Sequence, residues 1–95
     1  MRWLSMSVKT ELLKKVPADT QQQPHFLALL DYIKTNRLVT NEQLRKSITT
    51  EIGVVEAGLV KARSAGPSAV KMVRDKTIQL ELLQKWNWMS KEYLL

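Results

Sequence analysis

Residues Thr40 to Pro67 constrain the fold of this chain more than any other stretch: TNEQLRKSITTEIGVVEAGLVKARSAGP. Thr40 to Gln43 has the form of a capping box, in which the threonine hydroxyl accepts from the amide three residues on and the glutamine side chain reaches back to the cap amide. Val39 and Leu44 stand at the two positions of a hydrophobic staple. At the far end, Gly66 is placed to leave a helix through the left-handed conformation, and Pro67 prevents its continuation. Between them, Thr49-Thr50 offers a second cap, with Glu51 in the first turn that would follow. The stretch therefore predicts a short helix ending near residues 47–48, a tight turn, and a second helix stopped at Gly66. Ile52, Val55, Leu59 and Ala62 of that second helix form a narrow apolar seam.

The flanks read as helices too. Ser7 caps an amphipathic segment whose Val8, Leu12 and Val16 share one face, and Pro17 closes it. Residues 18–23 (ADTQQQ) read as a polar connector. Pro24 suits a first helical turn, and Phe26, Leu29, Leu30 and Ile33 follow at helical spacing to about Asn36, a residue that tolerates the left-handed conformation. Beyond Pro67, Ile78, Leu82, Trp86, Met89 and Tyr93 recur at helical spacing and predict one long helix to about residue 93. A rival pattern remains open there: Val70 and Met72, then Ile78, Leu80 and Leu82, alternate at period two, as in the strands of a wing. At the N-terminus, Trp3 and Leu4 are candidates to cover the core. The expected architecture is a single all-α domain over residues 1–95. It has a short N-terminal helix, a helix-turn-helix-like three-helix core at 24–67 and a long C-terminal helix at 68–93.

Composition excludes several kinds of chemistry. Without cysteine there is neither a disulfide nor a thiolate zinc site, which suits a cytoplasmic protein. With His25 as the sole histidine, read as a solvated polar residue, a catalytic triad or an imidazole metal site has almost nothing to build on. The segment MRWLSMS lacks the apolar region and cleavage site of a signal peptide, and no run is long enough to span a bilayer. No enzyme activity, cofactor or metal is expected. A net charge of +6 points to an anionic partner. It is spread evenly along the chain, so any basic patch must be assembled by folding.

LLDYIKTNRLVTNEQLRKSITTEIGVVEAGLVKARSAG resembles the three-helix start of winged-helix regulators, with Val39-Thr40, Leu44, Ile48, Val55 and Leu59 where that pattern wants them. The resemblance implies a helix-turn-helix DNA-binding transcriptional regulator. The would-be recognition helix argues against base reading. Outside its seam it offers Glu51, Gly53, Val54, Glu56, Ala57 and Val60, where DNA readers use Arg, Lys, Asn and Gln. Backbone phosphates remain available to Lys46, Lys61, Arg63, Lys71, Arg74 and Lys76. Gly53, Val54, Ala57 and Val60 read better as a small apolar strip for protein docking, unless the C-terminal helix covers them. Trp86 belongs to the apolar stripe. Trp88 points to another face, and either it is buried in the core as well or it stands exposed, as an aromatic anchor for a partner or a platform for an unpaired base.

Ala65-Gly66-Pro67-Ser68 admits two readings. It is an ordinary helix stop, or an exposed Gly66-Pro67 loop suited to a prolyl isomerase of the cyclophilin type. With this loop, its size and its basic charge, the chain resembles the anti-RecBCD proteins of lambdoid phages. That resemblance implies a host-virus interaction: a basic phage protein that binds the RecC part of the host RecBCD helicase-nuclease. It would act as an enzyme inhibitor or modulator in DNA recombination, with a host prolyl isomerase joining at Pro67.

Overall fold

The computed structural model describes residues 7–94. Every regular element among them is helical: α1 (Val8–Lys15), α2 (Ala18–Gln21), α3 (Pro24–Thr35), α4 (Asn41–Ser64), a 3-10 turn (Pro67–Ala69) and α5 (Val70–Leu94). The all-α expectation holds, with a short N-terminal helix and a long C-terminal one. The period-two alternation at 70–82 does not make a wing. Trp3 and Leu4 lie outside the described residues.

The caps form as the sequence predicts. The Ser7 hydroxyl accepts from the Thr10 amide at 3.2 Å. The Gln43 amide donates to the Thr40 hydroxyl at 3.0 Å, and the Gln43 carbonyl oxygen accepts from the Thr40 and Val39 amides at 3.2 and 2.8 Å. Segment 18–23 is more than a connector. It folds one turn of helix, and the Gln21 amide locks it onto the end of α1 by donating to the Leu13 and Val16 carbonyls at 2.9 Å each. At the end of α3 the left-handed residue is Arg37 (φ 54°) rather than Asn36. The Leu38 amide bonds Ile33 O at 3.0 Å and the Arg37 amide bonds Lys34 O at 3.2 Å, the paired bonds of a Schellman motif.

The turn expected after Ile48 is absent. Residues 41–64 are one unbroken helix of 24 residues, so the chain contains no helix-turn-helix at this position. The reason is phase. Leu44, Ile48, Ile52, Val55, Leu59 and Ala62 keep a single three-to-four-residue rhythm through Thr49-Thr50, whereas an inserted turn would rotate the second half of the seam out of register. No glycine, proline or asparagine stands at the junction, and two threonines inside a helix cost only a few tenths of a kcal/mol each. Their capping potential is therefore unused.

The partner of this seam is α5, which returns antiparallel after the Gly66-Pro67 turn. Along α5, Val73, Lys76, Leu80, Leu83, Asn87, Ser90 and Leu94 recur at alternating three- and four-residue steps, and all are buried or half-buried. That is the heptad seam of a two-stranded coiled coil. At the open end Asn41 Nδ2 donates to Leu94 O at 2.7 Å, tying the start of α4 to the end of α5. The stripe read from the sequence is the second face of α5. Its Trp86 and Met89 are part of the core that α1 and α3 share with α5, and Leu82 and Tyr93 pack against that core.

The main core is thus a head at one end of the hairpin. Val8 and Leu12 of α1, Phe26, Leu29 and Ile33 of α3, Leu44 and Ile48 of α4, and Leu83, Trp86 and Met89 of α5 are buried together. Three cross-links fix the layers: the Val8 amide to Val39 O at 2.7 Å, the Trp86 indole N–H to His25 O at 2.9 Å, and the Tyr32 hydroxyl to Ser47 Oγ. Beyond Val55 and before Leu80 the head ends and the two helices run on alone as an arm. The described molecule is accordingly elongated, 58 × 27 × 21 Å.

Candidate protein-docking surface

On the arm, α4 turns Leu59 and Ala62 toward α5, and both are buried. Close approach is helped by Gly58: the stem of Lys76 crosses it, with Lys76 Nζ 3.0 Å from where a Cβ would stand. The opposite side of α4 is bare. Gly53, Val54, Ala57 and Val60 are all exposed, Val54 at 60% and Val60 at 64%. The alternative that the C-terminal helix covers this strip does not hold, because α5 is committed to the other face of α4.

A second uncovered surface lies on α5. Its head-facing stripe continues past the end of the head to Ile78, which is 59% exposed, and Met72, about 120° around the helix from Ile78, is 53% exposed. In the sequence Ile78 looks like the first member of a buried stripe. Periodicity alone says which residues share a face, not how far the neighbouring helix extends to cover them.

Trp88 is exposed at 57%, and its ring meets Tyr93 edge-on at 6.3 Å. It stands apart from the α4 strip. Its neighbour Asn87 shares a groove with Lys46, Thr49 and Thr50, which places Trp88 beside the head. Trp86 is buried in the core, tilted against Tyr32 with ring centroids 4.9 Å apart. His25 is half-buried instead of fully solvated. Desolvation, and secondly the nearby Lys85 ammonium, hold its pKa below 6.5.

The candidate phosphate contacts divide in the same way. Lys46 lines the groove beside the head with Arg45 and Lys91. Lys61, Arg63, Lys71, Arg74 and Lys76 gather on the distal arm. Lys61 and Arg63, two residues apart on a helix, project about 200° apart around it. Among the described residues the one ion pair is Lys15–Glu11 on α1, so these five cations have no carboxylate partner.

At the tip, Gly66 has φ 84° and ψ −159°. The positive φ was expected, but this is an extended region open in practice to glycine alone, not the left-handed helical one. Pro67 is exposed and starts the 3-10 turn, so the Gly66-Pro67 loop stands in solvent at the end of the arm. Among the described residues no helix is long and apolar enough to cross a membrane. Comparison of the chain with family models, with curated proteins and with solved structures finds no match in any of the three.

Proposed function

We propose that this chain is a small non-catalytic protein of phage type that modulates or inhibits a host DNA-processing enzyme by protein contact. The proposed target is RecBCD, engaged through RecC in the host cytoplasm. The observation that carries the reading is the uncovered apolar strip on α4. A side chain such as Val54 or Val60 gains nothing from exposure to water. It would contribute roughly 1.5–3 kcal/mol if a partner buried it fully. Gly53 and Ala57 between the two valines keep the surface low enough for another backbone to lie close. The exposed Pro67 loop is the proposed handle for a prolyl isomerase.

The DNA-reading alternative rested on a turn between two helices, and α4 has no such turn. A pull-down from bacterial lysate with the full chain as bait tests the proposal. RecC should be recovered with wild type and lost when Val54 and Val60 are both changed to Asp. Failure to recover any helicase-nuclease subunit with wild type would remove the proposed target. Pro67→Ala should keep the helical circular dichroism and lose the isomerase, and retained isomerase binding would refute the handle.

A further inference from the structure

We propose that the arm is an insertion element: it enters a cleft of the partner protein whose floor is apolar and whose walls are acidic. This rests on the protein-contact reading above and specifies which part of the chain engages and what chemistry receives it. Residues 53–80 carry five basic and two acidic side chains, a net +3, and none of the five is ion-paired among the described residues. Apolar side chains stand exposed on both helices of the same segment, Val54 and Val60 on α4, Val70, Met72 and Ile78 on α5. Since α4 and α5 face each other through their seams, these residues look outward in different directions.

That distribution selects the occupant. A nucleic-acid duplex lying along the arm would need the cations on one side, yet Lys61 and Arg63 project about 200° apart and Lys71 and Arg74 are exposed on the other helix. Phosphates also have no use for exposed Met72 and Ile78. A second copy of this chain would bring one +3 arm against another, with only Glu56 and Asp75 on each arm to set against five cations, so the net interaction is repulsive. A protein cleft satisfies both features at once, because it meets the arm from several directions. Its carboxylates would pair with the ring of cations while its apolar floor covers the valines, Met72 and Ile78.

The test uses the full chain and purified RecBCD. An arm variant, Lys61→Glu, Arg63→Glu and Arg74→Glu, is compared with a head variant of equal charge change, Lys9→Glu, Lys14→Glu and Lys34→Glu. All six positions are exposed, and far-UV circular dichroism verifies the fold of each variant. The arm variant should bind at least about tenfold more weakly and lose most of the salt dependence of binding, while the head variant stays near wild type. Met72→Ala with Ile78→Ala should weaken binding without changing its salt dependence. Wild-type binding that survives the arm changes overturns the insertion proposal and leaves the protein-contact reading standing. No wild-type binding overturns the proposed target, and this proposal with it. If the arm variant instead loses tight binding to a labelled oligonucleotide, or converts a wild-type dimer to monomer, the occupant is nucleic acid or a second copy, and the acidic cleft is refuted.

Discussion

Trp86→Phe measures how firmly the head is clamped onto the α4–α5 hairpin. The indole is nearly fully buried, its N–H donates to His25 O at 2.9 Å, and its ring packs on Tyr32. Phenylalanine keeps an aromatic ring there but loses the hydrogen bond, about 0.5–1.5 kcal/mol net. It also gives up the contacts of the smaller ring's missing atoms, about 1–2 kcal/mol at ~0.8 kcal/mol per methylene equivalent plus residual void. The expected loss is about 2–3 kcal/mol. In a domain of this size each kcal/mol moves the melting temperature by roughly 4–8 °C, so Tm should fall by about 10–20 °C. Thermal and urea unfolding followed at 222 nm would read this out, with the urea m-value unchanged because the same surface is exposed on unfolding. Trp88→Phe, at an exposed site, should stay within about 0.5 kcal/mol of wild type. A Trp86→Phe shift below about 4 °C, or a Trp88→Phe shift as large, would refute the clamped-head account.

Gly53→Ala should stabilise the fold by about 1 kcal/mol in urea unfolding, since it stands inside an exposed stretch of α4 with no atom within 4 Å of the added methyl. The same change probes the docking strip, so a more stable variant with weaker partner binding would separate the two roles. Gly66→Ala should destabilise by about 1–3 kcal/mol despite open space around it, because the cost is the backbone conformation. An unchanged urea midpoint would contradict this. His25 sets a pH dependence. Its folded pKa lies below 6.5, so the unfolded chain binds the proton first as pH falls. Its contribution is full above pH 6.5 and is lost as pH falls from there through the lower folded value. His25→Gln should flatten that part of the stability–pH curve.

Local chemistry was legible in the residues themselves. Ser7, the Thr40–Gln43 box and the Gly66-Pro67 stop each act through bonds or dihedrals within a few residues, and all three form where the sequence places them. The helical class and the division of Trp86 and Trp88 between two faces were legible for a related reason, since helical spacing records which residues share a face; that the face of Trp88 is left uncovered was not. The misreadings concern continuation and cover. Thr49-Thr50 can cap a helix, but whether it does depends on the seam that α5 offers to Leu44 through Ala62, and α5 follows only after the loop. Asn36 and Arg37 were interchanged because both stand at the helix end, and the left-handed residue is the one that lets Leu38 reach back to Ile33.

By itself the sequence determined the capped starts at Ser7 and Thr40, the stop at Gly66-Pro67, the main apolar faces and the absence of cysteine chemistry, because each is set by a residue and its near neighbours. The tertiary structure decided that two short helices are one long one and that the head covers only half the hairpin. It left Val54, Val60, Met72 and Ile78 in solvent and brought Lys61, Arg63, Lys71, Arg74 and Lys76 together around a tip. Exposure and charge clustering depend on where distant segments end in space, and a linear pattern of spacing carries no record of that.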